Sequence, residues 1–326
     1  MATAFVAQPE VTFHKAWSTR SWLLARGMRL VIRPLLEYLP LNEWTLARLH
    51  LFDFAGSVLP LPSGASATRL AHAGCDTELV VGDTVSPDEP GLILYFHGGG
   101  FVTCGLRTHR RLVSRISTAA GVPALQVNYR QLPAVTLAQT VSDCVEVYRE
   151  LLDDGRAPGD IAFAGDSAGG YLAFAVAQHA AAEGLPAPAA IVAQSPWIDL
   201  ACTHSSGHAN SRRDSYIPLR KLVQIAGLLA PADDPLLALH DADLSALPPA
   251  LIQVGANEVL RSDAELIAGR LGKAGATCSL QIWDRQIHVF QAAADLVPEG
   301  RAAIAEIGSF VREQFSANSS HRTLAS

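Results

Sequence analysis

Hydrophobic and polar positions follow two rhythms along this chain. Short, mostly apolar runs recur at Leu92–Phe96, Ala124–Tyr129, Ile161–Ala164, Ala190–Ser195 and Ala250–Val254, and Ser279–Trp283 follows with Leu280 and Ile282 alternating about polar Gln281. Such runs suit strands buried on both faces. Between and after them, apolar residues return at helical spacing over Thr108–Ala120, Leu137–Leu152, Tyr171–Glu183, Asp263–Ala274 and, last, about Ala302–Phe315. The alternation predicts an α/β fold, a mostly parallel central sheet flanked by helices. In such folds the chemistry sits outside the carboxyl ends of the strands. Ahead of this region, beyond a linker at residues 61–66, two alternating segments, Thr68–His72 and Thr77–Val81, read as an antiparallel pair. The tail from Ser316 is polar and is expected to fray.

Two stretches fall outside the strand–helix alternation. Residues 1–50 read as helical, with Trp22, Leu23, Leu24, Met28, Leu30, Val31, Leu35, Leu36 and Leu39 at helical spacing and Arg20, Arg26, Arg29 and Arg33 between them. Pro34 is expected to break or start a helix there. A basic amphipathic segment can lie on a membrane surface or pack as a lid over a pocket; the lid is favoured, because nothing else in the chain points to a membrane. The second stretch is a polar, irregular segment, Thr203–Tyr216, that runs into an apolar helix at Leu219–Leu229.

Composition narrows the function classes. The chain has 326 residues, 49% hydrophobic and 17% charged, with a net charge of −6 and pI near 6.0. That is enough chain for one large domain, and its acidity gives no basic face for nucleic acid. Five scattered cysteines show no metal-ligand spacing and suit reduced thiols in a cytoplasmic protein. No leader-like start is evident and no apolar run approaches the roughly 20 residues of a spanning helix, so no stable membrane insertion is expected.

The candidate chemistry centres on Gly165-Asp166-Ser167-Ala168-Gly169, placed between a strand and a helix. A turn this tight leaves no room for side chains on either side of the serine, and it lifts the hydroxyl of Ser167 into open space beside the unpaired amides of a helix start. A serine made nucleophilic needs an oxyanion site, a base and an acid that orients the base. His97-Gly98-Gly99-Gly100 ends the strand Leu92–Phe96, where consecutive glycine amides can face a ligand. A phosphate-binding loop would need a lysine or a Gly-x-Gly-x-x-Gly pattern, and neither is present. His288 lies just past the last strand, and the only later histidine is His321 in the tail. After the preceding strand, Glu258 and Asp263 both qualify as the acid; a helix start accounts for Asp263 without chemistry, which favours Glu258. Asp284 is a third candidate, set in the loop that carries His288.

These stretches resemble the bacterial hormone-sensitive-lipase-like (family IV) esterases of the α/β-hydrolase superfamily. The likeness runs through His97-Gly98-Gly99-Gly100-Phe101, Thr108-His109-Arg110-Arg111, Asn128-Tyr129-Arg130, Gly165 to Gly170, Ser195-Pro196-Trp197-Ile198-Asp199-Leu200, Asp243 to Pro249 and His288-Val289-Phe290-Gln291. It implies a carboxylic ester hydrolase for short- to medium-chain esters, with Ser167 as nucleophile, His288 as base, Glu258 as acid and an oxyanion hole from the amides of Gly98, Gly99, Gly100 and Ala168. No metal or organic cofactor is implied. It also implies a helical cap formed by residues 1–60 and an insertion at about 201–232, on a catalytic domain spanning 61–326. Leu36, Leu39, Trp44, Leu222 and Ile225 are candidates to line its pocket. A homodimer through the last strand, Ser279–Trp283, is a further expectation. Two departures stand out: Gln131-Leu132-Pro133-Ala134 replaces the usual Leu-Ala-Pro-Glu, and the acid position holds glutamate where aspartate is commoner. The same machinery could serve an acyltransferase or amidase, and a non-catalytic ligand-binding protein on this fold is the remaining alternative.

Overall fold

The nine strands form one sheet in the order β1-β9-β8-β7-β6-β4-β5-β3-β2. The computed structural model describes the backbone of residues 8–325 and the side chains of residues 8–320. The strands are β1 (Glu10–His14), β2 (Ser66–His72), β3 (Cys75–Val81), β4 (Leu92–Phe96), β5 (Ala124–Val127), β6 (Ile161–Asp166), β7 (Ala190–Gln194), β8 (Ala250–Gly255) and β9 (Cys278–Trp283). From β1 across to β5 every pairing is parallel, while β3 and β2 add an antiparallel margin. All residues of β4 through β8 are buried, as strands covered by helices on both faces must be.

Helices Leu137–Asp153, Ala168–Ala182 and Arg261–Lys273 cover one face, and Leu106–Ala120 packs with the long helix Pro298–Ala325 on the other. The helix Ala168–Ala182 lies deep enough that Tyr171, Leu172, Phe174 and Val176 are fully buried. This explains why its sequence is apolar all round and not striped.

The elements depart from the sequence expectations in four places. Residues 10–14 form a strand, not a helix, and residues 1–7 lie outside the described residues. Beside β9, an open edge offers ladder hydrogen bonds that outweigh local preference. His14 then stacks on Trp283 with ring centroids 3.9 Å apart, and its carbonyl accepts from the Asp284 amide at 2.9 Å. The same pairing removes the expected dimer edge, because the outer ladder of β9 is occupied by β1. Pro34 falls in the first turn of the helix Arg33–Tyr38, the starting place expected of it, but it makes no break, because a π-helical turn at Met28–Ile32 joins that helix to the one before. A widened turn lets the missing proline donor and its ring fit without a break. The tail expected to fray continues as helix to Ala325.

Candidate active site

Ser167 closes the end of β6, the strand between β7 and β4, with φ 55° and ψ −118°. The strain is imposed by packing. A Cβ on Gly165 would lie 2.2 Å from the Gly169 carbonyl oxygen, and one on Gly169 would lie 1.9 Å from that of Phe96. The turn is pinned by the Ser167 amide donating to Gln194 (2.9 Å) and the Ser167 carbonyl accepting from Trp197 (3.1 Å). Backbone strain of this kind persists only where the surroundings enforce it. Phe101, Ser195 and Val289, all placed around the same strand ends, also have positive φ.

Glu258 and His288 meet. His288 Nδ1 is 2.9 Å from Glu258 Oε2, and both side chains are almost fully buried. The other carboxylate oxygen, Oε1, accepts from the Gly255 amide at 2.5 Å and from the Ser195 hydroxyl at 2.9 Å. Three donors converging on one carboxyl fit its ionised form and place the imidazole proton on Nδ1, leaving the Nε2 lone pair free to accept. Ser195 also accepts from the Val289 amide at 3.2 Å, so one hydroxyl ties the acid to the backbone beside the histidine. The segment from Thr203 to Tyr216 contributes from outside. Asn210 Nδ2 donates to the Ala256 and Glu258 carbonyls, and Asp214 accepts from the Val259 amide. Tyr216 sets its ring 6.0 Å from that of His288.

Burial works against a charged His288, but the hydrogen bond and field of Glu258, with Asp214 and Asp166 beyond, raise its pKa above the usual histidine value. Burial is also the largest influence on Glu258 and lifts its carboxyl, against the downward pull of His288 and the Gly255 amide. As the expected base, His288 must be neutral to act, so activity should fall with acidification through a pKa above 6.5, the ordinary value. A kcat/KM–pH profile checks this; an acid limb centred below 6.5 would contradict the pairing.

Asp263 and Asp284 do not approach the histidine's ring nitrogens. Asp263 Oδ2 accepts from the amides of Ile198 and Asp199 at 2.8 Å each, clamping the loop after β7. It does not cap its own helix. Burial raises its pKa to about 7. Asp284 sits at the surface beside Arg285.

The glycine loop divides in use. The buried Gly98 amide donates to Asp166 Oδ1 at 3.1 Å and faces His109 Nε2 at 3.3 Å, so it is already occupied. Gly99 and Gly100 are partly accessible and their amides have no acceptor among the described residues. The Ala168 amide, at the first position of its helix, likewise has no intrahelical acceptor. Ile225, on the helix Leu219–Leu229, lies over this loop, 3.4 Å from where a Gly100 Cβ would stand. Asp166 is the brace: Tyr95 donates to its Oδ1 at 2.7 Å and His109 Nε2 lies 3.3 Å from Oδ2. Burial alone would raise its pKa, but His109 and Tyr95 together hold it below the usual carboxylate value. The brace joins the residue before Ser167 to the glycine loop. The elbow motif contained it in plain view, yet only the fold brings Tyr95 and His109 to it. Ser195 was visible within a family-like stretch, but no local signal disclosed its bond to Glu258.

The Ser167 hydroxyl is not hydrogen-bonded to His288 in the substrate-free chain, a contact that commonly tightens only with substrate. A continuous path of bonds nevertheless links the two: Ser167 to Gln194, Ser195 to Glu258, and Glu258 to His288.

Known proteins carry the same arrangement of chain. A family model for the alpha/beta hydrolase fold matches residues 93–292. Esterase LipU of Mycobacterium tuberculosis is 36% identical over 87% of this chain and 99% of its own length. Carboxylesterase/phospholipase LipF of the same organism is 38% identical over 89% of this chain and 81% of its own. Among solved structures, an esterase from the bacterial hormone-sensitive lipase family superposes with a TM-score of 0.83 at 35% identity, covering 92% of this chain and 99% of that one. The esterase EstE5 superposes equally well, at 33% identity over the same shares. With this sheet, this serine turn and relatives that match nearly end to end, the chain belongs to the hormone-sensitive-lipase-like serine carboxylesterases of the α/β-hydrolase fold.

Proposed function

We propose that Ser167, His288 and Glu258 act as a catalytic triad that hydrolyses short- to medium-chain carboxylic esters through an acyl-enzyme. The observation that carries this reading is the 2.9 Å bond from His288 Nδ1 to Glu258, which leaves Nε2 free to accept a proton, on a loop that follows β9 and so on the same side of the parallel sheet as Ser167 after β6. Ser167 Oγ attacks the ester carbonyl carbon as its proton passes to Nε2. The resulting oxyanion is held by the amides of Gly99, Gly100 and Ala168, while Gly98 keeps the loop in place through Asp166. Collapse breaks the bond to the leaving alcohol, which takes the proton from Nε2. Water then attacks the acyl-enzyme, giving its proton to the same nitrogen, and collapse breaks the bond to Ser167 Oγ, which takes that proton back from Nε2 as the acid departs.

The substrate range is supported by the cap. Ile225 is buried over the glycine loop, an apolar ceiling that suits an acyl chain of modest length, and Leu222 is buried on the same helix. Leu36 and Leu39 are half-buried, whereas Trp44 is 66% exposed and stands outside any closed pocket. Crystals of the related EstE5 were soaked with p-nitrophenyl butyrate, which makes that ester a suitable first probe. The test is turnover of p-nitrophenyl esters of graded length, with an anilide included. The expected result is highest kcat/KM for short chains, a decline for long ones and little anilide cleavage. Preference for the anilide, or rates that keep rising with chain length, would overturn the substrate range.

A further inference from the structure

The N-terminal cap helix is apolar on two opposite sides. Along the continuous helical stretch Thr19–Tyr38, Leu24, Met28, Ile32 and Leu36 recur every fourth residue and are half-buried against the body. Leu23, Leu30, Leu35 and Tyr38 stand on the outer side, 57%, 70%, 63% and 81% exposed. A lid that met only water would be polar on its outer side, and a helix apolar all round ordinarily has a partner on both. Arg26 and Arg29, three residues apart, are exposed and form a basic stripe alongside these apolar positions, with Arg29 Nη1 donating to the Arg213 carbonyl at 3.2 Å, while Arg33 is half-buried.

The exposed apolar surface continues past this helix. Among the described residues, most of the large apolar side chains open to solvent fall between residues 17 and 59, Phe52 (58%) and Val58 (81%) among them. The segment is held over the carboxyl ends of the strands. Thr103 Oγ1 donates to the Leu49 carbonyl, Asp53 accepts from the Thr108 amide, and Lys221 donates to the Leu39 carbonyl. Residues 15–59 carry six basic and three acidic side chains, on a chain whose net charge is −6. Arg26 lies over Trp22 and Arg48 over Trp44, so guanidinium groups border exposed aromatic faces.

From these features we infer that the outer face of the N-terminal cap docks on an anionic lipid surface, with Leu30, Leu35 and Tyr38 entering the headgroup boundary and Arg26 facing the phosphates. Apolar positions flanked by arginines, with aromatics at the edge, are what an interfacial helix requires. The charge decides against a second copy of the chain as the occupant, because a two-fold contact would set one basic stripe against another. The helix lies along the surface and does not span it; no helix among the described residues is long and apolar enough to cross a membrane. Docking would hold the catalytic face toward the lipid. The inference stands apart from the triad, since binding is read without turnover.

Flotation of the purified protein with vesicles tests it, using phosphatidylcholine alone and phosphatidylcholine with phosphatidylglycerol. The wild-type chain should float with the anionic vesicles and much less with the neutral ones. Raising NaCl from about 0.05 to about 0.5 M should release it, as screening weakens the arginine contacts. Leu30→Ser combined with Leu35→Ser should lower vesicle partition by about tenfold or more. Both side chains are exposed, so the variant should hydrolyse p-nitrophenyl butyrate in lipid-free buffer at the wild-type rate. Failure of the wild-type chain to float, or undiminished flotation of the double variant, would overturn the inference. So would sedimentation showing a dimer that the double variant dissociates, which would assign the face to a second copy.

Discussion

Replacing Ser167 with alanine should remove turnover of p-nitrophenyl butyrate, with kcat falling by about 10⁴- to 10⁶-fold, while the protein stays folded. The two halves of this expectation rest on different observations. Among the described residues the hydroxyl makes no hydrogen bond, so its loss leaves no buried partner unsatisfied. The strained turn is set by Gly165, Gly169 and the backbone bonds to Gln194 and Trp197. Alanine keeps the Cβ, so the strain at φ 55° is unchanged. Unfolding by heat or urea should therefore match the wild type to within about 0.5 kcal/mol. The chemistry has no substitute for the missing nucleophile. What survives should be the slow hydrolysis that binding and the oxyanion amides give to water alone. Turnover of the variant at even a tenth of the wild-type rate would sink Ser167 as nucleophile, and unfolding of the variant would show that the hydroxyl has a structural role.

The order of elements was legible in the sequence because the strands β4 to β8 are buried on both faces, and a run of apolar residues has few other uses. Strand boundaries fell within about two residues for the same reason. β1 was not legible. Its exposed residues, Glu10 to Phe13, carry no burial pattern, and the strand exists only because β9 presents an unfilled ladder. Pro34 was legible in part: its place in the first turn of a helix follows the local rule, while the π-turn that joins this helix to the one before is announced by no periodicity. At the candidate site, residue types and chain order were enough to propose Ser167, Glu258 and His288, and the pairing of Glu258 with His288 agrees with that proposal. The supports were not readable, because Asp166, Tyr95, His109 and Ser195 act across separations of tens of residues. Gly98 shows the limit most clearly. The motif offers three equivalent glycine amides, and only the fold assigns one of them to Asp166.

Glu258→Gln and Asp263→Asn should separate sharply, although the two carboxyls lie five residues apart and are both buried. Glutamine at 258 keeps the shape but replaces one oxygen with an NH₂ group. Three donors now point at that carboxyl, from His288, Gly255 and Ser195, so the amide must turn its own hydrogens toward at least one of them. If it turns toward His288, the ring is driven to the tautomer that protonates Nε2, and the base is lost. A fall in kcat of about 10³- to 10⁴-fold follows, the scale of removing the orienting acid from such a pair. Loss of the carboxylate also removes what raises the His288 pKa, so the acid limb of residual activity should move to lower pH. Asparagine at 263 behaves differently. Its single carbonyl oxygen can still accept from the Ile198 and Asp199 amides, which both bond one oxygen, Oδ2, in the native chain. The rate should change by about a few-fold at most, with about 1 kcal/mol of stability at stake. The native Asp263 carboxyl, raised by burial from 3.8 to about 7, binds its proton more tightly folded than unfolded. Its contribution to stability therefore declines as pH rises through that interval, and the asparagine variant should lack this decline. Equal losses of rate in the two variants, or a larger loss at Asp263, would move the acid away from Glu258.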